Sequence, residues 1–351
     1  MIVLGILIFV HELGHFILSK KMGVKVLKFS LGFGPKLIGK KIGETEYQIA
    51  VFPLGGFVKP LGEDPNEEVK EEDRHRSFWV QPIWKRALII GAGPFFNFFL
   101  AVALFSVINL FGIPYFPSKI GEVSPGLPAE NAGLKKGDMV LSIDGEEVKK
   151  WDDLSKIIRN SKGKALSLKV KREGEFLEIR VTPKPSSQKN LFGEEIPVFV
   201  IGITPFDEIL VEKVGPFVAL GKGLSQTWFG IKFTVVTVIK LIERVIPAKT
   251  IGGPILIAQL AGEQAKRGLI SLALFMAILS INLGVINLFP IPILDGGHFL
   301  FLALEAILGK PLSIKKMEIA QQIGLFFIVL LMLFAIYNDL IRVFSPGGFK
   351  F

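Results

Sequence analysis

Four stretches of this chain carry almost no charge over the length needed to cross a bilayer, and they limit the fold more than any other feature. They run from Met1 to about Leu18, from about Ala87 to Phe111, from about Leu269 to Ile293 and from about Ile323 to Tyr337. Roughly 20 apolar residues in a helix span a hydrocarbon core, and a helix is the form in which a lipid-embedded backbone satisfies its own polar groups. The first stretch holds His11, Glu12 and His15 and is followed by no small-residue cleavage site, which separates it from a secretory leader. A mean hydropathy of +0.49 agrees with a chain that lies partly in lipid. With no Cys among its 351 residues, it has no disulfide, thiolate metal site or cysteine nucleophile.

The net charge of +9 is distributed as membrane topology requires, not as a nucleic-acid surface. Lys20, Lys21, Lys25, Lys28, Lys36, Lys40 and Lys41 form a run of seven Lys with no acid among them. Lys85 and Arg86 precede the second stretch, and Lys310, Lys315 and Lys316 lie between the third and fourth. Positive loops stay in the cytoplasm, so loops 20–80 and 309–318 are expected there. The segment between spans two and three and both termini are then expected outside.

Between the spans the pattern changes. Val24–Phe29 and Thr45–Val51 read as short strands broken by glycines, leading into the apolar Phe52-Pro-Leu-Gly-Gly-Phe-Val58. This predicts a β-hairpin that dips toward the bilayer, viable where it packs on protein or lines a water-filled cavity. Residues 62–76 read as a solvated, charge-dense linker. Residues 115–185 read as a small α+β domain of about 70 residues. In 216–246, Lys222, Lys232, Lys240, Glu243 and Arg244 fall within a helical sector of about 120°, opposite Leu220, Leu224, Ile231, Val238 and Ile242. That predicts a helix lying in the outer interface, not a fifth span. The expected organisation is 1–114 with spans one and two, 115–185 as the inserted domain, 186–266 as linker and interfacial helix, and 267–351 with spans three and four.

The chemistry concentrates in His11-Glu12-Leu13-Gly14-His15. Two His four apart on a helix face one side and can grip one metal, with Glu12 beside a metal-activated water as general base. Zinc suits imidazole and carboxylate ligands with one position open, and a third protein ligand must come from elsewhere. His75, in Arg74-His75-Arg76, reads as solvated. Asp295 follows a charge-free span at a Pro-broken, Gly-rich interruption, where a buried carboxylate needs a cation; it could also cap the helix beginning at Gly296. His298 is a rival ligand or a partner to one.

H-E-x-x-H in a first span and Asn287-x-x-Pro-x-Pro-x-Leu-Asp295-Gly-Gly in a third resemble the site-2 protease family of intramembrane zinc metalloproteases, in the bacterial regulator of sigma-E protease branch. Gly32-Phe-Gly-Pro35, Pro53-Leu-Gly-Gly-Phe-Val-Lys59, Arg76-Ser-Phe78, Trp84-x-Arg86 and Gly93-Pro-Phe-Phe-Asn97 extend the likeness along the chain. Many of that branch carry two PDZ domains, and this chain has room for one. The resemblance implies a polytopic α-helical membrane protein of about four spans with a membrane re-entrant β-hairpin and an inserted PDZ domain. It implies zinc on His11, His15 and Asp295, with Glu12 as base. It also implies hydrolysis within the transmembrane helices of single-span proteins, such as trimmed anti-sigma factors or signal-peptide remnants, in the bacterial inner membrane. Asn282 and Asn287 fall where the family has substrate-site asparagines. Gly55, Gly56 and Phe57 would hold the substrate extended by strand addition, and Asn287 would bond that strand or the oxyanion, or else cap a broken helix. Ile120, Gly121, Glu122 and Val123 match the PDZ loop that receives a peptide C-terminus. A membrane-anchored PDZ scaffold without proteolysis and a metal transporter are the alternatives; neither uses a base between two ligands.

Overall fold

The computed structural model describes residues 2–63 and 69–344, with the backbone alone at 53 and 54. The expected linker 62–76 thus falls partly outside the described residues, and its described end, Glu71–Arg76, is a 3-10 turn. The chain divides into two compact units, Met1–Ile108 with Pro216–Ile239 and Pro247–Phe351, and Asn109–Gly215 with Lys240–Ile246.

The first unit opens on α1 (Ile2–Lys21), which ends where Lys20 and Lys21 replace the apolar sequence. Next come β1 (Val26–Ile42) and β2 (Thr45–Pro60), which are long and continuous where the sequence suggested short pieces. Gly32, Gly34 and Gly55 adopt positive φ, so they bend the strands without ending them. The bend allows double pairing. Phe29 faces Val58 on one side and Tyr47 on the other, and Gln48 faces both Ser30 and Gly39. Two strands therefore give four segments in the order 56–60, 26–31, 45–49, 36–42, with 56–60 paired on one side only among the described residues. Val26, Phe29 and Val58 seal this sheet against Leu13 and Phe16 of α1. At its far end, Arg76 forms a two-pronged pair with Glu44 beside the β1–β2 turn, and the guanidinium holds the Glu44 carboxyl below its usual range.

α2 (Ile83–Phe111) starts earlier than expected and takes in Lys85 and Arg86. It leads into the second unit, which holds β3 (Ile113–Tyr115), β4 (Ile120–Val123), α3 (Pro128–Asn131), β5 (Met139–Ile143), β6 (Glu146–Glu147) and α4 (Trp151–Asn160). β7 (Leu166–Arg172), β8 (Glu175–Val181), β9 (Lys184–Lys189), β10 (Glu195–Val200), β11 (Ile203–Pro205) and β12 (Leu210–Glu212) follow. A sheet of order β6-β5-β7-β8 and helix α4 enclose a core of Val140, Leu154, Leu168 and Val170. The predicted boundary at 185 is corrected: residues 184–212 are not linker. β11 pairs with β4 and β12 with β3, so the unit closes on strands far apart in sequence, which local patterning does not reveal.

α5 (Pro216–Ile242) is one helix that stops before Glu243, with Arg244 at positive φ, so the last two charges of the expected polar sector lie beyond it. It buries Ala219, Gly223 and Thr227, and Gly223 sits directly on Val102 and Ser106 of α2. α6 (Pro254–Arg267) precedes α7 (Leu269–Asn287). α7 ends six residues before the predicted Ile293. Pro290 and Pro292 lack the donors a helix needs, and the chain restarts as α8 (Asp295–Leu308). α9 (Ile314–Phe344) closes the described chain at 31 residues, well beyond the charge-free 323–337. Among the described residues, α1, α2, α7 and α9 are the helices long and apolar enough to cross a membrane, matching the four expected, and α5 is not one of them. The architecture is that of a polytopic helical membrane protein with added β-structure.

Candidate metal centre and its cavity

One helical turn separates His11 from His15 on α1, and their rings meet edge to face with centroids 4.8 Å apart. Their Nε2 atoms are 3.2 Å apart. Asp295, in the first turn of α8, brings Oδ2 to 3.2 Å from His11 Nε2 and Oδ1 to 3.6 Å from His15 Nε2. The three ligand atoms lie within 4.8 Å of one another. Two imidazoles on a tetrahedral zinc, each bond about 2.0–2.1 Å, would hold their nitrogens about 3.3 Å apart.

The hydrogen bonding shows what the cluster lacks. His15 Nδ1 is 2.8 Å from the carbonyl oxygen of Ile89. A carbonyl only accepts, so Nδ1 carries the proton, and in the neutral ring Nε2 would aim a lone pair at the centre. Pro94 removes the donor for the adjacent Ile90 carbonyl, loosening α2 at this level. Asp295 Oδ2 is buried and accepts no hydrogen bond. Two imidazole nitrogens and a buried carboxylate converging on one point are what a divalent cation satisfies, and the donor set fits zinc.

Asp295 does not serve as a helix cap. The N-cap of α8 is Leu294, and no side-chain capping bond is made. His298 lines the same cavity but stands outside the three-residue cluster, edge-on to Phe301. His75 is exposed on the 3-10 turn.

The cavity beside the cluster measures about 510 Å³, and Glu12, Gly55, Gly56, Phe57, Asn287 and His298 are among its walls. The one-sided edge of β2 reaches Glu12: a Cβ on Gly56 would stand 3.3 Å from Glu12 Cγ and 2.7 Å from the Ser30 carbonyl oxygen. Asn287, last residue of α7, places Nδ2 3.3 Å from His11 Nε2. α1 and α2 meet so closely that a Cβ on Gly93 would overlap the His15 ring and lie 2.7 Å from His11 Nε2.

Two groups of expected residues lie away from this cavity. Asn282 is absent from the cavity wall; its Oδ1 accepts a 2.8 Å hydrogen bond from Thr234 Oγ1 and ties α7 to α5. Five residues before Asn287, it lies too far round the helix to share its direction. Ile120–Val123 is strand β4, paired with β11. The Ile120 amide donates to the Asp138 carbonyl at 2.8 Å and the Glu122 amide to Thr204 Oγ1 at 3.0 Å, while Gly121 packs against Pro205. Those amides are engaged before any peptide arrives.

Sequence reasoning gave no site role to Asn97, whose amide lies 3.0 Å from His11 Nδ1, or to the Ile89 carbonyl. Asn97 is a polar residue within a charge-free span, which is the signal that could have marked it.

Residues 1–331 match the model of peptidase family M50. A protein of Rhizobium meliloti (strain 1021) named as a zinc metalloprotease is 35% identical, covering 97% of this chain and 95% of its own length. The regulator of sigma-E protease RseP of Escherichia coli (strain K12) is 31% identical, covering 97% of each chain. The regulator of sigma-W protease RasP of Bacillus subtilis (strain 168) is 31% identical over 98% of this chain and 97% of its own.

Proposed function

The chain belongs to peptidase family M50 and is a membrane zinc metalloprotease of the site-2 type, and we propose that it hydrolyses peptide bonds inside the transmembrane helices of single-span membrane proteins. The observation that carries this reading is the convergence of His11, His15 and Asp295 beside Glu12 and an unpaired strand edge, on helices able to lie in lipid. His11, His15 and Asp295 hold the metal. Zinc there supplies Lewis-acid activation of water and of the scissile carbonyl.

The remaining steps belong to this chain. Glu12 takes a proton from the attacking water and returns it to the departing amine nitrogen. A substrate helix hides its carbonyls, so it must be extended before attack; the outer edge of β2 at Gly56–Phe57 adds it as a further strand. Asn287 Nδ2 donates to the carbonyl oxygen as charge gathers there. Loops 20–80 and 309–318 face the cytoplasm of a bacterial inner membrane, and the second unit, read as a PDZ domain, lies outside and restricts which substrates enter. The names of two relatives, regulators of sigma-E and sigma-W, favour trimmed anti-sigma factors as substrates, with signal-peptide remnants a second group.

Glu12→Gln tests the reading. The change is nearly isosteric, but the amide cannot take the proton. The variant should retain zinc and lose cleavage of a single-span substrate panel. Cleavage above about a hundredth of the unsubstituted rate removes Glu12 as base, given the usual size of general-base effects.

A further inference from the structure

His11 is approached from both sides of its ring. Nε2 faces His15 and Asp295, and Nδ1 is 3.0 Å from the side-chain amide of Asn97. Asn97 is fully buried on α2, and its own backbone carbonyl accepts a 2.8 Å bond from Ser280 Oγ of α7. In the orientation recorded, Nδ2 faces His11 while Oδ1 is buried with no partner. The two ends of an amide have one shape, and a half-turn about its last torsion exchanges them. After that turn the orphaned oxygen would meet a ring N–H.

We propose that Asn97 is a positioning residue that sets the tautomer of His11: its amide oxygen accepts the Nδ1–H, which leaves Nε2 as a lone pair aimed at the metal position. The imidazole then matches His15, whose Nδ1–H is held by the Ile89 carbonyl. Both ligands are thereby fixed by α2, one through backbone and one through side chain. A carboxylate at 97 could accept the same proton, and an aliphatic side chain could not.

The inference rests on the zinc reading, and the test separates the two. Full-length protein in detergent is titrated with zinc against a chromophoric chelator, comparing Asn97→Leu and Asn97→Asp with the unsubstituted chain. Loss of an outer partner of a ligating imidazole typically weakens metal binding on the order of ten- to a hundredfold. Asn97→Leu, similar in volume, should show that loss, and Asn97→Asp should bind at least as tightly as the unsubstituted chain. A packing role predicts the reverse order, with Leu harmless and a buried Asp harmful. A Leu variant within twofold of the unsubstituted chain, or an Asp variant weaker than Leu, overturns the proposal. A readout independent of any variant folding is nitrogen-15 histidine NMR of the zinc-loaded protein, in which a chain with four His gives few signals. The His11 Nδ1–H should exchange slowly with water; fast exchange overturns the assignment. No zinc uptake by the unsubstituted chain would instead overturn the metal reading.

Discussion

Arg86 of α2 and Glu305 of α8 form a buried, two-pronged ion pair, with Nη1 3.0 Å from Oε2 and Nη2 2.5 Å from Oε1. Arg86 also donates Nε to the Gln81 carbonyl at 2.9 Å and stacks over the Trp79 ring. α2 carries Asn97 and the Ile89 carbonyl, and α8 carries Asp295. The pair therefore clasps the helix that orients the two imidazoles to the helix that supplies the carboxylate.

Breaking a buried pair strands one charge, typically at about 3–5 kcal/mol. Glu305→Gln should lower the thermal midpoint in detergent and weaken zinc binding. Arg86→Met with Glu305→Leu should recover most of the stability, since neither charge is then stranded. Equal losses in the single and double variants would show that the pair is not the coupled unit described.

Asp295→Asn should empty the metal centre or abolish cleavage, because a neutral amide replaces the anionic ligand. His298→Ala, three residues on, should keep most of the metal. Metal analysis of the purified variants decides; a full Asp295→Asn protein with an empty His298→Ala protein would reassign the third ligand.

The orientation can be read by thiol labelling, since the chain has no Cys of its own. Ser186 on β9 and Lys40 on β1 are both exposed. Ser186→Cys should react with an impermeant reagent from outside intact cells, and Lys40→Cys only after the cytoplasmic face is opened. The opposite pattern overturns the topology.

Glu44 gives a pH dependence with a defined sign. Its folded carboxyl titrates below the unfolded value because of Arg76. The contribution is therefore complete above about pH 4.5, the unfolded range, and is lost as pH falls through the lowered folded value. Hydrogen exchange of the β1–β2 turn amides, corrected for intrinsic rates, should rise on acidification in that window. Glu44→Gln should exchange faster at neutral pH and show little further rise.

What the sequence disclosed is what depends on local pattern. The four spans follow from charge-free runs, and His11, Glu12 and His15 share a short helical spacing. Asp295 was legible as a charge in an apolar setting, but its choice over His298 needed the turn through 288–294. The second unit was cut short at 185 because β11 and β12 find their partners in β4 and β3, and pairing over such separations leaves no local trace. Asn282 and Asn287 look equivalent as letters; helical direction divides them, one bonded to Thr234 and one facing His11. Ile120–Val123 carried the expected pattern, and its hydrogen bonds engage the Ile120 and Glu122 amides.

α9 contributes more than an anchor. Asp339, buried on that helix, accepts hydrogen bonds from the amides of Gly253, Ile255 and Leu256 at 2.9, 3.0 and 3.1 Å, and Asn338 beside it binds the carbonyls of Ala248 and Ile251. The start of α6 is thus completed by side chains synthesised some eighty residues later. During biogenesis those three amides lack this partner until α9 has been made and inserted. α6 leads directly into α7 and its Asn287, so the start of the segment that reaches the cavity is completed only once α9 has been synthesised.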